Sequence, residues 1–197
     1  MAEAARPCPP MLMQAAQELI AESGYTAMTM RQLAARVGLL PGSLYHHISC
    51  KQDLLLSVLL DVVDQRVSAW EKLEGSRNLT TYVRFLLGRQ CSHPAEELLL
   101  RHETRYLDDP HRSWFDKAFC KLTQPLKLII QQGQKAGKFR VLDVQCASEA
   151  ILAVIEAADR MRTRLSNVDE AWIENQVMQM CQALLAEPGQ PYGKLAS

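Results

Sequence analysis

Apolar residues recur every three or four positions along nearly the whole chain, and the strict alternation of a half-buried strand is almost absent. Leu12, Ala15, Ala16, Leu19 and Ile20 fall at i, i+3, i+4, i+7 and i+8, which predicts an amphipathic helix over 10–23 closed by Gly24. Thr29 to Gln32 is a T-x-x-Q capping box, followed by Met30, Leu33, Ala34 and Val37 on one face and Gly38 at the stop. Pro41 suits a first helical position, and Leu44 and Ile48 one turn apart predict a third helix of barely two turns. A second capping box, Ser49 to Gln52, opens a fourth helix running to about Leu73, ended by Gly75. The same grammar predicts helices over 78–90, 94–107, 111–136 (bent at Pro125 and ended by Gly137), 143–165 and 169–186. The expectation is an all-α chain of nine helices, with tails at 1–9 and 188–197.

Composition narrows the function classes. Of 197 residues, 48% are hydrophobic, and 22 Lys plus Arg balance 22 Asp plus Glu. Such a chain is too apolar to be disordered, and nine Gly exclude a collagen repeat. The charge balance excludes a uniformly basic coat but not a basic patch on one face. Residues 1–10 hold no apolar run of a signal peptide, and no stretch approaches the roughly 20 residues that span a bilayer, so a cytoplasmic protein with no membrane partner is expected. Cys8, Cys50, Cys91, Cys120, Cys146 and Cys181 lie scattered with no C-x-x-C pair, which reads as reduced thiols; a redox-sensing pair is the alternative.

The strongest local signal surrounds Gly38. Two short helices joined by a tight turn containing Gly, after an amphipathic helix, are the arrangement that sets the second helix in a DNA major groove. Leu40, Leu44 and Ile48 form one stripe, which directs Gly42, Ser43, His46 and His47 outward. Between Tyr25 and Lys51 stand Arg31, Arg36 and Lys51 with no acidic residue, a local positive field in a neutral chain.

These segments, A-x-x-L-I-x-x-x-G-Y (Ala16 to Tyr25), T-M-R-Q-L-A-A-R-V-G (Thr29 to Gly38), P-G-S-L-Y-H-H-I (Pro41 to Ile48) and K-Q-D-L-L (Lys51 to Leu55), resemble the TetR family of bacterial transcriptional regulators. G-K-F at 137–139 and Asp143 opening a helix are similar to that family's C-terminal half. The resemblance implies a homodimer with a helix-turn-helix domain at 10–50 (motif about 29–48) and a ligand-binding and dimerisation domain at 51–187 linked by helix 51–73. It implies DNA contacts from Thr29, Arg31, Gly42, Ser43, Tyr45, His46, His47 and Lys51. Two residues depart from the family pattern. Leu40 stands where a Ser or Thr cap, worth about 1 kcal/mol, is usual, and Ile48 replaces the usual Phe.

The expected function is a DNA-binding regulator, a repressor released from a palindromic operator by a small hydrophobic or aromatic effector. The effector would meet Trp70, Phe85, Arg89, His102, Tyr106, Trp114, Phe119 and Met161. The dimer would form through Ile151, Val154, Ile155, Ile173, Val177 and Leu184 on the last two helices. A thiol-based redox regulator is the alternative, and a helical enzyme is disfavoured because no Gly-rich phosphate loop, G-x-S-x-G or H-E-x-x-H is present. No cofactor or metal is expected: adjacent His46 and His47 diverge by about 100° on a helix, and Cys91, His93, His102 and His111 follow no ligand spacing.

Overall fold

A computed structural model of the chain describes residues 9–165 and 168–186; apart from Pro9, both expected tails, with Cys8, lie outside the described residues. The elements in order are α1 (Pro10–Ser23), α2 (Met30–Arg36), α3 (Pro41–Leu44), α4 (Lys51–Glu71), α5 (Leu79–Ser92), α6 (Pro94–Leu98), α7 (Asp109–Lys135), α8 (Val144–Arg164) and α9 (Glu170–Leu185). No strand occurs among the described residues.

The punctuation signals act as helix physics requires. Thr29 accepts from the Gln32 amide at 3.2 Å while the Gln32 side chain takes the Thr29 N–H at 2.8 Å, so the capping box is complete. Gly38, at φ 70°, lets the Leu39 N–H return to the Ala34 carbonyl at 2.9 Å and its own N–H reach Ala35, a Schellman stop. Asp143 and Asp169 cap α8 and α9 with their carboxylates. α7 runs unbroken through Pro125 to Lys135 and the chain turns at Gly137, φ 67°, after which Phe139 folds back over Gly133 so closely that a Cβ at Gly133 would lie 1.9 Å from the ring.

Three local expectations fail, each for a physical reason. The α-helical part of the third helix stops at Leu44, and turn bonds from His46 to Ser43 and from His47 to Leu44 carry the chain on to Ile48. Gly42 and an N-terminus without a side-chain cap leave little to propagate it. The fourth helix is capped by Cys50, whose sulfur accepts the Asp53 N–H at 3.4 Å, and not by Ser49. The segment predicted as one helix over 94–107 changes winding after Leu98, through a π turn at Leu99–Glu103 and a 3-10 turn at Thr104–Tyr106. That change accompanies burial of Glu103, whose carboxylate accepts the Tyr25 N–H at 3.0 Å. A buried backbone donor is thereby satisfied, which the sequence pattern could not anticipate.

The described residues gather into two compact units, one within Met1–Leu73 and Ser92–Leu122, the other within Glu74–Cys91 and Thr123–Ser197. In the first, α1 packs on α2, α4 and α6, and α2 on α3. Leu12, Ala16, Ile20, Leu33, Leu44, Leu55, Leu59, Leu99 and Phe115 share one buried core, each Leu, Ile or Phe contributing about 1.5–3 kcal/mol. This core does not stop at residue 50, because α4 lays Leu55, Val58 and Val62 into it. In the second unit α8 pairs with α9, and the Gln90 amide donates to the Ile155 carbonyl at 3.0 Å while accepting from Arg162 at 2.8 Å.

Candidate nucleic-acid interface

Leu44 and Ile48 are buried, at 0% and 4% exposure, and anchor α3 and the following turn on the core. With that face committed, Gly42, Tyr45, His46 and His47 are exposed and Ser43 is half-buried. A Cβ at Gly42 would meet nothing within 4 Å, so a partner's backbone could approach there. Tyr45 is 54% exposed, a ring and hydroxyl presented outward rather than a core side chain. Leu40 corrects the sequence reading: it is 76% exposed and does not continue the Leu44–Ile48 stripe. It occupies the extended N-cap position, φ −72° and ψ 144°, outside the helical screw that would have turned it inward.

The charges divide into those tied up and those presented. Thr29 and Arg31 are exposed at the start of α2. Arg36 is held by both oxygens of Glu22 at 2.8 Å, with Glu18 at 3.9 Å, so its positive field is neutralised locally. Those hydrogen bonds hold the Glu22 carboxyl below its usual range. Lys51, at the first position of α4, donates to the Thr26 carbonyl at 3.3 Å, and its ammonium lies 4.4 Å from the Tyr25 ring centroid. Partial burial lowers its pKa, while an ammonium with three donors keeps two for another acceptor. Tyr25 was not singled out from sequence; its place immediately after Gly24, ahead of the motif, is the signal that could have marked it.

The remaining predicted site residues are dispersed. Trp70, His102, Tyr106, Trp114 and Phe119 belong to the first unit, Phe85, Arg89 and Met161 to the second. Tyr106 stacks on Tyr25 with centroids 5.8 Å apart, Trp114 is 61% exposed beneath the Lys117 ammonium, and Phe119 packs on Phe115 at 5.5 Å. In the second unit Phe85, Arg89 and Met161 are half-buried. An open surface groove of about 380 Å³ is lined by Asp109, Arg112, Ser113, Asp116, Lys117 and Cys120, none of them expected from sequence to meet an effector.

The residues expected at the dimer surface divide by burial. Ile151, Ile155, Ile173 and Val177 are at most 2% exposed within one chain, because α8 and α9 use them against each other and their own unit. Side chains already dry cannot add apolar burial on association. Val154 is half-buried, and Leu184 at 42%, Trp172 at 42% and Met180 at 41% are the exposed large apolar residues of α9. As for the thiols, burial pushes Cys181 up to about 12, burial also raises Cys91, and the Asp143 carboxylate raises Cys146, all disfavouring the reactive thiolate.

Two family descriptions cover most of the chain: "Bacterial regulatory proteins, tetR family" matches residues 12–58, and "Tetracyclin repressor-like, C-terminal domain" matches residues 72–160. The HTH-type transcriptional repressor KstR2 of Mycobacterium tuberculosis is 33% identical over 143 residues, spanning 66% of this chain and 68% of that relative. A TetR-family regulatory protein from Rhodococcus RHA1 superposes with a TM-score of 0.76 at 22% identity, over 91% of this chain and 97% of the other. FadR of Bacillus subtilis, solved in complex with stearoyl-CoA, gives a TM-score of 0.76 at 20% identity over 89% and 98% of the two chains. Both structures share the fold.

Proposed function

The chain belongs to the TetR family of bacterial regulatory proteins, and on that premise we propose that it is a repressor that leaves a palindromic operator when a small hydrophobic effector binds. It is a DNA-binding transcriptional regulator and not an enzyme. The observation that carries the reading is the outward set Gly42, Ser43, Tyr45 and His46 on a turn anchored by buried Leu44 and Ile48, with Lys51 beside it. Small and polar groups there suit base edges, and Lys51, Thr29, Arg31 and His47 suit phosphates.

Two copies bind as a homodimer whose recognition segments meet half-sites about one helical turn apart. The exposed α9 residues Trp172, Met180 and Leu184, with Val154 of α8, support the surface through which they pair. The effector is hydrophobic with an anionic group, and within the second unit it contacts Phe85 and Met161, with Arg89 as its cation. Support comes from their half-burial on α5 and α8 and from the stearoyl-CoA held by the FadR neighbour. We place the protein in the cytoplasm, where its DNA target lies; no helix among the described residues is long and apolar enough to cross a membrane.

The test is a randomised-site selection followed by fluorescence anisotropy on the enriched duplex. The expected product is a palindrome bound by two chains and released by a long-chain acyl-CoA. Failure to enrich any sequence would overturn the reading.

A further inference from the structure

We propose that Cys50, Asp53 and His111 form a binding site for a thiophilic divalent transition-metal ion, with Zn²⁺ the best match to its donors. Sequence spacing concealed this set, because His111 lies 58 residues from Asp53. The fold brings the N-cap and first turn of α4 against the first turn of α7, all within the first unit.

Hydrogen bonds to the two oxygens of Asp53 already bring the three side chains together. Cys50 Sγ is 3.3 Å from Asp53 Oδ2, and His111 Nε2 is 3.0 Å from Asp53 Oδ1. One ligand atom from each of the three residues lies within 4.8 Å of the others. Tetrahedral zinc with bonds of about 2.0–2.3 Å separates its ligands by roughly 3.3–3.7 Å, so a bound ion would replace the two hydrogen bonds and draw the three donors onto itself. Sulfur, imidazole and one carboxylate exclude Ca²⁺ and Mg²⁺, which take oxygen shells, and select Zn²⁺ and its neighbours. Three protein ligands leave a fourth position for water.

The supporting shell is present as well. Asp108 engages His111 Nδ1, fixing the ring so that Nε2 faces Asp53 and Cys50. This carboxylate–imidazole–metal order is the one that orients and strengthens a histidine ligand. Asp108 is itself pinned: its N–H donates to Gln52 Oε1 at 3.2 Å, and Gln52 Nε2 donates to the Tyr106 carbonyl at 2.7 Å. Ligands from two distant segments are thus held together by contacts that need no metal. The cap bond from the Asp53 N–H to the Cys50 sulfur holds that sulfur beside the Asp53 carboxylate at the amide end of α4, where negative charge is favoured. Coordination releases the Cys50 thiol proton and any proton on His111 Nε2 to solvent.

The full-length protein, freed of metal by a chelator and dialysed, is titrated with Co²⁺ as the probe. The expected result is a near-ultraviolet sulfur-to-cobalt band saturating at one ion per chain and abolished by Zn²⁺. Cys50→Ser, conservative at an exposed N-cap, removes the band. His111→Gln lowers Co²⁺ affinity at least about tenfold, and Asp108→Asn, acting only through His111, lowers it about 10- to 100-fold. Cys91→Ser and Cys146→Ser leave the band intact. No band in the wild type, or a band that survives Cys50→Ser, overturns the proposal. DNA is absent from the assay, so its failure leaves the operator-binding reading untouched.

Discussion

At Lys51 one ammonium serves two masters. Its carbonyl bond to Thr26 and its seat over the Tyr25 ring fix where the charge sits, so little side-chain entropy is left to lose when a phosphate binds. Tyr45 offers its hydroxyl from an exposed position without internal constraint. Phosphate contacts supply affinity without sequence information, whereas contacts to base edges discriminate. Lys51→Ala and Tyr45→Phe are therefore expected to weaken operator and random DNA alike, by about tenfold for Lys51, the worth of a charge-assisted contact near 1.4 kcal/mol. Lys51→Ala also lowers the slope of log affinity against log salt by about 1 per chain. Ser43→Ala and His46→Ala instead change which sequence is preferred, by about 1–3 kcal/mol for a good base contact. Salt titrations and randomised-site selections on each variant check this; an unchanged salt slope for Lys51→Ala would place α3 elsewhere than the groove. Arg36, counted from sequence among the free charges, is captured by Glu22. Its substitution should therefore act more on the packing of α1 against α2 than on DNA.

Among the elements, what could be read from sequence is whatever is written in a few consecutive residues. The Thr29–Gln32 box, Gly38, Asp143, Asp169 and Gly137 are local devices, and the helix ends fall within a residue or two of them. What escaped depends on a partner distant in the chain. The π turn goes with the reach of Glu103 to Tyr25, and Leu40 faces outward because the helix begins one residue after it. The helical period of α8 and α9 likewise marks an apolar face without saying whether that face meets its own chain or a second copy. Within one chain Ile151, Ile155, Ile173 and Val177 are already buried, and the exposed Trp172, Met180 and Leu184 are the residues we propose for association. The double variant Met180→Glu plus Leu184→Glu puts two carboxylates per chain into the contact, which must then be desolvated or expelled. Sedimentation velocity should show a monomer at micromolar concentration with unchanged helicity, and operator affinity should fall as two-site binding is lost. A variant that remains dimeric would move the interface off α9.

The whole molecule has to make an event in one unit felt in the other, and α7 belongs to both. Its residues Asp109–Leu122 are part of the first unit and its residues from Thr123 to Lys135 of the second. Pro125, in the second unit's part of α7, lacks the N–H that would serve the Lys121 carbonyl. A ligand changes DNA affinity only through its differential affinity for two states of the protein. If an acyl-CoA prefers the state that grips the operator poorly, the coupling should be about 1–3 kcal/mol, a 5- to 150-fold loss of operator affinity. Linkage then makes a stronger demand: saturating operator DNA must weaken acyl-CoA binding by the same factor. Calorimetric titration of a long-chain acyl-CoA with and without saturating operator measures one side, and anisotropy of labelled operator with and without ligand measures the other. Arg89→Ala should weaken acyl-CoA binding in both titrations by about tenfold while leaving the ratio between them intact, since removing a contact made in both states changes affinity but not coupling. Equal factors in the two directions are the expected outcome. Tight acyl-CoA binding with no change in operator affinity would show that the ligand does not distinguish the two states, and that it is not the effector.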